Sequence, residues 1–351
     1  MALNYTDTAV LLAAYKQQKA PNNFLQTRYF PDGTVFTTAQ VLVEYKDGNQ
    51  KLAPFVSPEV GGKVVRRDGY EANAYKPALI APKRALTIDN LTEKGFGEAL
   101  YGELTPEERA LKITADDLTE MDEMIVRRHE QMCAQVLQEN ALTMNHYGDD
   151  NKLINTKKIE YFNGQNDAVY APQISWGEAN ADILGDIAAV ALELAKRGLP
   201  ATDVILGTEA ADAFLNNEKV IKLLDTRNIN IGAIDPTEGY PEAVFLGQIN
   251  CKGYKLNFIQ YAATYEAEDG TIKPYIDPKV AIVTAPACGV TNYGAITQIN
   301  FGEALPRTHA EKRVPLHEVN GQVREVALRS APLVQPKHKN AFIKATVIFE
   351  G

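Results

Sequence analysis

The sequence predicts an elongated α+β protein, and three stretches carry that prediction. Residues 114–147 place apolar side chains at helical spacing with no Gly or Pro between them. Residues 61–87 look like a β-ribbon with scattered charge and no apolar face of its own. Residues 175–284 alternate helix-like and strand-like patterns, as a compact α/β unit does.

Taken in order, residues 7–18 form a short amphipathic pattern that ends before Pro21. A helix that small has no core of its own, so it is expected to dock on another surface. Residues 22–31 carry Phe24, Leu25, Tyr29 and Phe30 without a clear period and are expected to be extended. Residues 35–45 are rich in β-formers and stop at the turn signal Lys46-Asp47-Gly48-Asn49. Pro54 and Pro58 restrict 52–60 to an edge.

In the ribbon, Asp68-Gly69 is a hairpin turn signal. Lys63, Arg66, Arg67, Glu71, Asn73, Lys76, Lys83 and Arg84 leave neither strand a clean apolar side. Such a ribbon is marginal alone in water. It is expected to gain little from its own subunit and to need a partner. The plainer reading is an exposed β-loop.

Thr105-Pro106-Glu107-Glu108 opens a short helix expected to end near Lys112. Thr114 with Asp117 then starts the long helix in a capping-box variant. Leu118, Met121, Ile125, Met132 and Val136 line its apolar stripe, and Gly148 is placed to end it. At 1.5 Å per residue it would be about 50 Å long. Arg128 interrupts any coiled-coil seam, so a single spine helix fits better.

Beyond it, 157–162 is a possible strand before the Asn163-Gly164 turn. Ser175-Trp176-Gly177-Glu178 resembles another capping box, starting a helix that Gly198 and Pro200 stop. Residues 204–207 form a buried strand, 209–215 and 218–224 helices, and 244–249, 254–261 and 280–284 strands. The pattern then stays β-like through 293–301, 323–328 and 341–349.

A net charge of −9 argues against a duplex-binding protein, which needs a basic stripe. No segment approaches the roughly 20 apolar residues of a membrane span. The first residues lack the basic region of a signal peptide. Cys133, Cys251 and Cys288 are odd in number and far apart, which suggests buried free thiols. Phosphate-loop, dinucleotide, zinc-protease and serine-elbow motifs are all absent. His129, His146, His309, His317 and His338 have no metal spacing and are expected to be solvated or structural. Asp182 and Asp186 lie one helical turn apart, but on a stretch expected to be wet, where a dyad would not form. The basic residues Lys63, Arg66, Arg67, Lys83 and Arg84, with Tyr70 and Tyr75 between them, suit an acidic protein surface better than nucleic acid. An arm, a dependent ribbon and a spine without an active site fit a protein whose work is contact with its own copies.

Several stretches together carry a family resemblance. They are YTDTAVLLAAYKQQ, FLQTRYF, PFVSPEVGGKVVRRDGYEANAYKPALIAPKRALT, KLLDTRNINIGAI, CKGYKLNFIQYAATYEAEDGTIKPYIDPKVAIVTAP and VALRSAP. The chain resembles the major capsid proteins of the bacteriophage lambda group, a branch of the Hong Kong 97-type capsid fold. The likeness runs over nearly the full length and rests on the series, not on any single motif. It implies an N-terminal arm and first peripheral-domain strands in 1–55 and an extended loop in 56–92. It further implies a peripheral domain with the spine helix in 93–150, an axial α/β domain in 151–287, and strands returning between the two domains in 288–351.

The resemblance also implies partners. The subunit would meet itself in pentamers and hexamers, use a separate scaffolding protein, and join a portal protein. A decoration protein at three-fold sites is a plausible addition. Lys76 and Lys83 are available for a cross-link, but no motif marks either, and none is assumed. Arg66, Arg67, Tyr70, Lys83 and Arg84 are the expected inter-subunit contacts, with acidic groups of the adjacent copy as their targets. No catalytic residue, cofactor, metal, sequence-specific nucleic acid contact or membrane is expected. The expected location is the virion, and the host cytoplasm during assembly. The rival readings are an encapsulin-like nanocompartment shell and an α/β enzyme built on residues 176–284.

Overall fold

The computed structural model describes residues 23–45, 71–87, 105–147, 152–161, 169–226, 243–299, 305–320 and 323–349. The expected helix at 7–18, the Asp68-Gly69 turn and the Asn163-Gly164 turn lie outside them. Helix α1 is Phe24–Tyr29. Helix α2, Pro106–Glu139, is the 34-residue spine.

The spine starts where the shorter helix was expected. Thr105 and Glu108 form a reciprocal capping box, Pro106 takes the first turn, and Glu107 and Glu108 face the helix dipole. Thr114 therefore caps nothing. Its hydroxyl donates back to the Ala110 carbonyl at 2.8 Å, inside one continuous helix. The spine also ends early. Asn140 takes a left-handed conformation (φ 51°) and its N–H donates to the Val136 carbonyl. Ala141–Tyr147 is consequently a strand, β5, paired antiparallel with β6, Leu153–Glu160.

The centre is a six-stranded sheet in the order β7-β20-β13-β8-β10-β9. Its strands are β7 Val169–Tyr170, β8 Asp203–Leu206, β9 Ala243–Cys251, β10 Tyr254–Tyr261, β13 Val280–Thr284 and β20 Ile343–Thr346. Both faces are covered, which explains the unbroken apolar run in β8. Val204, Leu206, Phe258 and Val283 face one core with α3, Ile183–Lys196, and α4, Thr208–Asn216. Phe214 of α4 stacks on Phe258 at 4.4 Å between ring centres. Helix α5, Glu218–Thr226, follows and adds Val220 to this core. Ile205, Ile259 and Ile282 face the second core, with α1 and the C-terminal half of α2. The Ser175 stretch starts no helix. Its hydroxyl lies within reach of the Val347 carbonyl, and α3 begins at Ile183.

The 22–31 region is not extended, because α1 is a wedge between the spine and the sheet. Asn23 makes no side-chain cap. The cap comes from Glu130 of α2, whose carboxylate accepts the N–H groups of Leu25 (2.8 Å) and Gln26 (3.1 Å). No local pattern could announce a cap from a hundred residues away.

Smaller sheets surround this body. β1, Asp32–Val35, runs parallel to β14, Gly289–Tyr293, which pairs with β19, Pro332–Pro336. β17, Val314–Asn320, β18, Val323–Arg329, and β4, Lys83–Leu86, form a sheet whose Val326 and Leu328 pack on Leu118, Met121 and Ile125 of the spine. β2, Val41–Tyr45, pairs with β3, Glu71–Tyr75. β11, Thr264–Glu266, pairs with β12, Ile272–Pro274. β15, Ile296–Gln298, pairs with β16, Arg307–His309.

The ribbon expectation is corrected here. Both β3 and β4 are paired within their own chain, and Leu86 is buried. These two strands therefore do gain from folding on their own subunit.

Candidate assembly surfaces

Three buried acids, Glu130, Asp203 and Asp122, anchor the polar networks of the interior. Glu130 is buried and accepts a third bond from the Tyr261 hydroxyl at 2.6 Å. Asp203, fully buried at the start of β8, accepts from Arg28 Nε (2.7 Å), the Tyr29 hydroxyl (3.1 Å) and Asn257 Nδ2 (2.9 Å). Burial, reinforced by the Asp203 charge, pushes the Tyr29 hydroxyl well above its ordinary pKa. Asp122 accepts from Arg313 Nε at 2.8 Å, and Arg313 also donates to Ser330 Oγ at 2.8 Å. Each network ties separate parts of the chain together and is filled by its own partners. They are braces: those of Glu130 and Asp122 start on the spine, and that of Asp203 joins α1 to β8 and β10.

The remaining titratable groups follow the same pattern. His129 is buried with Nε2 3.0 Å from Thr291 Oγ1. Burial, with Arg313 nearby, lowers its pKa to about 3, so the ring is neutral. The three cysteines are free and buried, and burial raises Cys251 and Cys288 to about 12. Asp182 and Asp186 do not form a dyad. Asp186 accepts from the Tyr170 hydroxyl and Trp176 Nε1, both at 3.0 Å, while Asp182 is exposed near Lys252 and Lys219. Asp186 is thus half-buried and bonded, not on the wet face expected of it. Among the described residues no cluster of metal-ligating side chains gathers. No helix among them is long and apolar enough to cross a membrane.

The outer surface is different. Four of the sheets among the described residues are two-stranded ribbons, an architecture that is marginal in isolation. They carry exposed apolar side chains. On β6, Leu153 is 55% and Ile154 72% exposed; on β12, Ile272 is 75% exposed. Open strand edges and bare apolar side chains are features that pair readily with other chains. The sequence carried no local signal for Leu153 and Ile154, since an outward isoleucine on a strand looks like an inward one.

The five expected contact residues divide. Arg66, Arg67 and Tyr70 lie outside the described residues. Lys83 and Arg84 sit on β4 and meet carboxylates of their own chain. Lys83 Nζ is 3.6 Å from Glu325, Arg84 is 2.9 Å from Asp117, and Arg84 also contacts Glu120. Within the subunit both side chains are thus engaged by carboxylates of their own chain. Pairing of β4 with β18 lays Arg84 along the acidic outer face of the spine.

Comparison with known proteins gives the same direction. The chain is 28% identical over 350 residues to the major capsid protein of Enterobacteria phage P21, covering 96% of this chain and 97% of that one. It is 22% identical over 351 residues to the major capsid protein of Escherichia phage lambda, with the same coverage. The fold matches the crystal structure of a prophage capsid protein from E. coli CFT073 with a TM-score of 0.65 at 17% identity, covering 97% of this chain and 99% of that one. Residues 7–347 match the family described as phage major capsid protein E. By that match, which takes in nearly all of its length, the chain belongs to the phage major capsid protein E family.

Proposed function

We propose that this chain is the major head subunit of a tailed bacteriophage, assembling as pentamers and hexamers into an icosahedral shell around packaged double-stranded DNA. The observation that carries the reading is the family match over residues 7–347, with relatives of the same length named major capsid proteins. The role is structural, and the buried acids serve as braces between elements. The ribbons β5–β6 and β11–β12 would be contact surfaces between copies. The acidic balance of the chain suits a container through which DNA must move without sticking.

The division expected from sequence is retained as part of this reading: arm and first strands in 1–55, extended loop in 56–92, spine in 93–150, axial domain in 151–287, and returning strands in 288–351. Pairing of β20 with β13 supports the last of these, since it brings 343–346 back to the central sheet. Rooting of β3 and β4 on their own chain supports a loop anchored at its base. A separate scaffolding protein, a portal protein and a decoration protein at three-fold sites are the proposed partners, with assembly in the host cytoplasm.

Electron microscopy of the protein co-expressed with its scaffold tests the reading. Closed particles tens of nanometres across are expected. A monodisperse monomer under those conditions would overturn it.

A further inference from the structure

Taking the chain as a shell subunit, we propose that the outward face of β6 on one copy packs against the outward face of the β11–β12 hairpin on the next. Side chains alternate along a strand, so Lys152, Ile154, Thr156, Lys158 and Glu160 share one side of the β5–β6 ribbon. All five are exposed. The opposite side is anchored at its base by the buried Ile159. On the hairpin, Thr264, Glu266, Ile272 and Pro274 share the outer side, with Glu266 directly across from Ile272 in the register. All four are exposed. Tyr265 takes the other side and packs on Tyr275 at 4.9 Å between ring centres.

Each face thus sets one bare isoleucine beside charge, and the two charges are opposite. Around Ile154 stand two lysines against one glutamate, with Lys158 Nζ 2.7 Å from Glu160. Beside Ile272 the charge is negative. Glu268 and Asp269 of the hairpin are engaged by Arg128 and Lys273. Glu266 has no ion-pair partner among the described residues.

Charge decides how these faces combine. The β6 face against its own copy would set lysines against lysines. The hairpin face against its own copy would set Glu266 against Glu266. Like charges brought together across an interface disfavour both arrangements. The crossed pairing buries Ile154 on Ile272 and brings Lys152 or Lys158 to Glu266. It uses two different surfaces of each copy, so it is a head-to-tail contact, the kind that closes a ring. A ring is what a pentamer or hexamer requires.

Carbodiimide coupling of the unaltered full-length protein tests this, because it joins an ammonium directly to a carboxylate it already touches. Mass spectrometry of assembled particles should show peptides linking Lys152 or Lys158 to Glu266, and the free subunit should show none. The same peptides at equal yield from the free subunit would overturn the proposal by placing the pair within one chain. A second measurement uses Ile154→Cys with Ile272→Cys, since the native cysteines are all buried. Oxidised particles of the double variant should give a ladder of disulfide-linked chains on a denaturing gel, and each single variant should run as a monomer. A dimer from either single variant would overturn the proposal by making the contact like-to-like. Particles that give neither the linked peptides nor the ladder would overturn it and leave the shell reading standing. Failure of the unaltered protein to form particles would overturn the shell reading itself, and this contact with it.

Discussion

Lowering the pH from 6.5 to 4.5 should weaken this fold through one buried ring. His129 sits on the inner face of the spine, with Thr291 at Nε2 and the Tyr293 ring edge-on at 6.1 Å. Arg313 and Lys312 disfavour a further positive charge there, and Asp32 opposes them only in part. The folded pKa is about 3 against an ordinary 6.5. The unfolded chain therefore takes the proton first. The stabilisation is complete above pH 6.5 and is lost progressively as the pH falls toward 3. In that window the slope is about 1.4 kcal/mol per pH unit, so two units cost on the order of 2–3 kcal/mol. Burial works against the Asp32 charge, but bonds from Lys312 and Tyr293 hold its carboxyl below the usual range, and this group is common to both proteins compared. His317, also lowered by burial, contributes equally to both proteins compared. Urea unfolding of the wild type and His129→Gln at pH 6.5 and 4.5 measures the effect. The variant should be less stable at the higher pH, yet lose about 2–3 kcal/mol less on acidification. Equal losses, or ring resonances showing a protonated His129 at pH 5, would refute the reasoning.

Other expectations concern single side chains. Glu130→Gln replaces an acceptor of three hydrogen bonds with a group that must also donate, and should cost about 2–4 kcal/mol in urea unfolding. A Cβ on Gly207 would lie 2.2 Å from the Asp277 carbonyl oxygen, so Gly207→Ala should cost about 1–3 kcal/mol and lower the melting temperature. Arg84→Ala removes a partly exposed ion pair and should change subunit stability by no more than about 1 kcal/mol. If its partners are those of its own chain, particle yield should also hold. Ile154→Asp should reduce particle yield while leaving subunit unfolding unchanged, since the side chain is exposed on β6. Unchanged yield would remove that ribbon from the contact surface.

Much of the architecture was readable from local pattern alone. The spine, β8, β10, β13 and the helices between them are written in periodicity and in turn residues, which act over a few positions. The resemblance to the lambda-group capsid proteins likewise rested on stretches spread along the chain. Thr105 and Thr114 are both plausible caps in sequence, and only the continuous hydrogen bonding past Thr114 chose between them.

What tertiary structure decided has a common cause: it depends on groups far apart in sequence. α1 exists because Glu130 supplies its cap, and the pattern around Asn23 holds no trace of that. Lys83 and Arg84 looked free to reach a neighbour, and pairing of β4 with β18 brought their own chain's carboxylates to them. Asp122, Glu130 and Asp203 carry no local mark of burial in the sequence, yet each is buried, because folding places donors around it at a distance that offsets its lost hydration. Composition sets how many charges a chain carries; only the folded contacts decide which of them water still reaches.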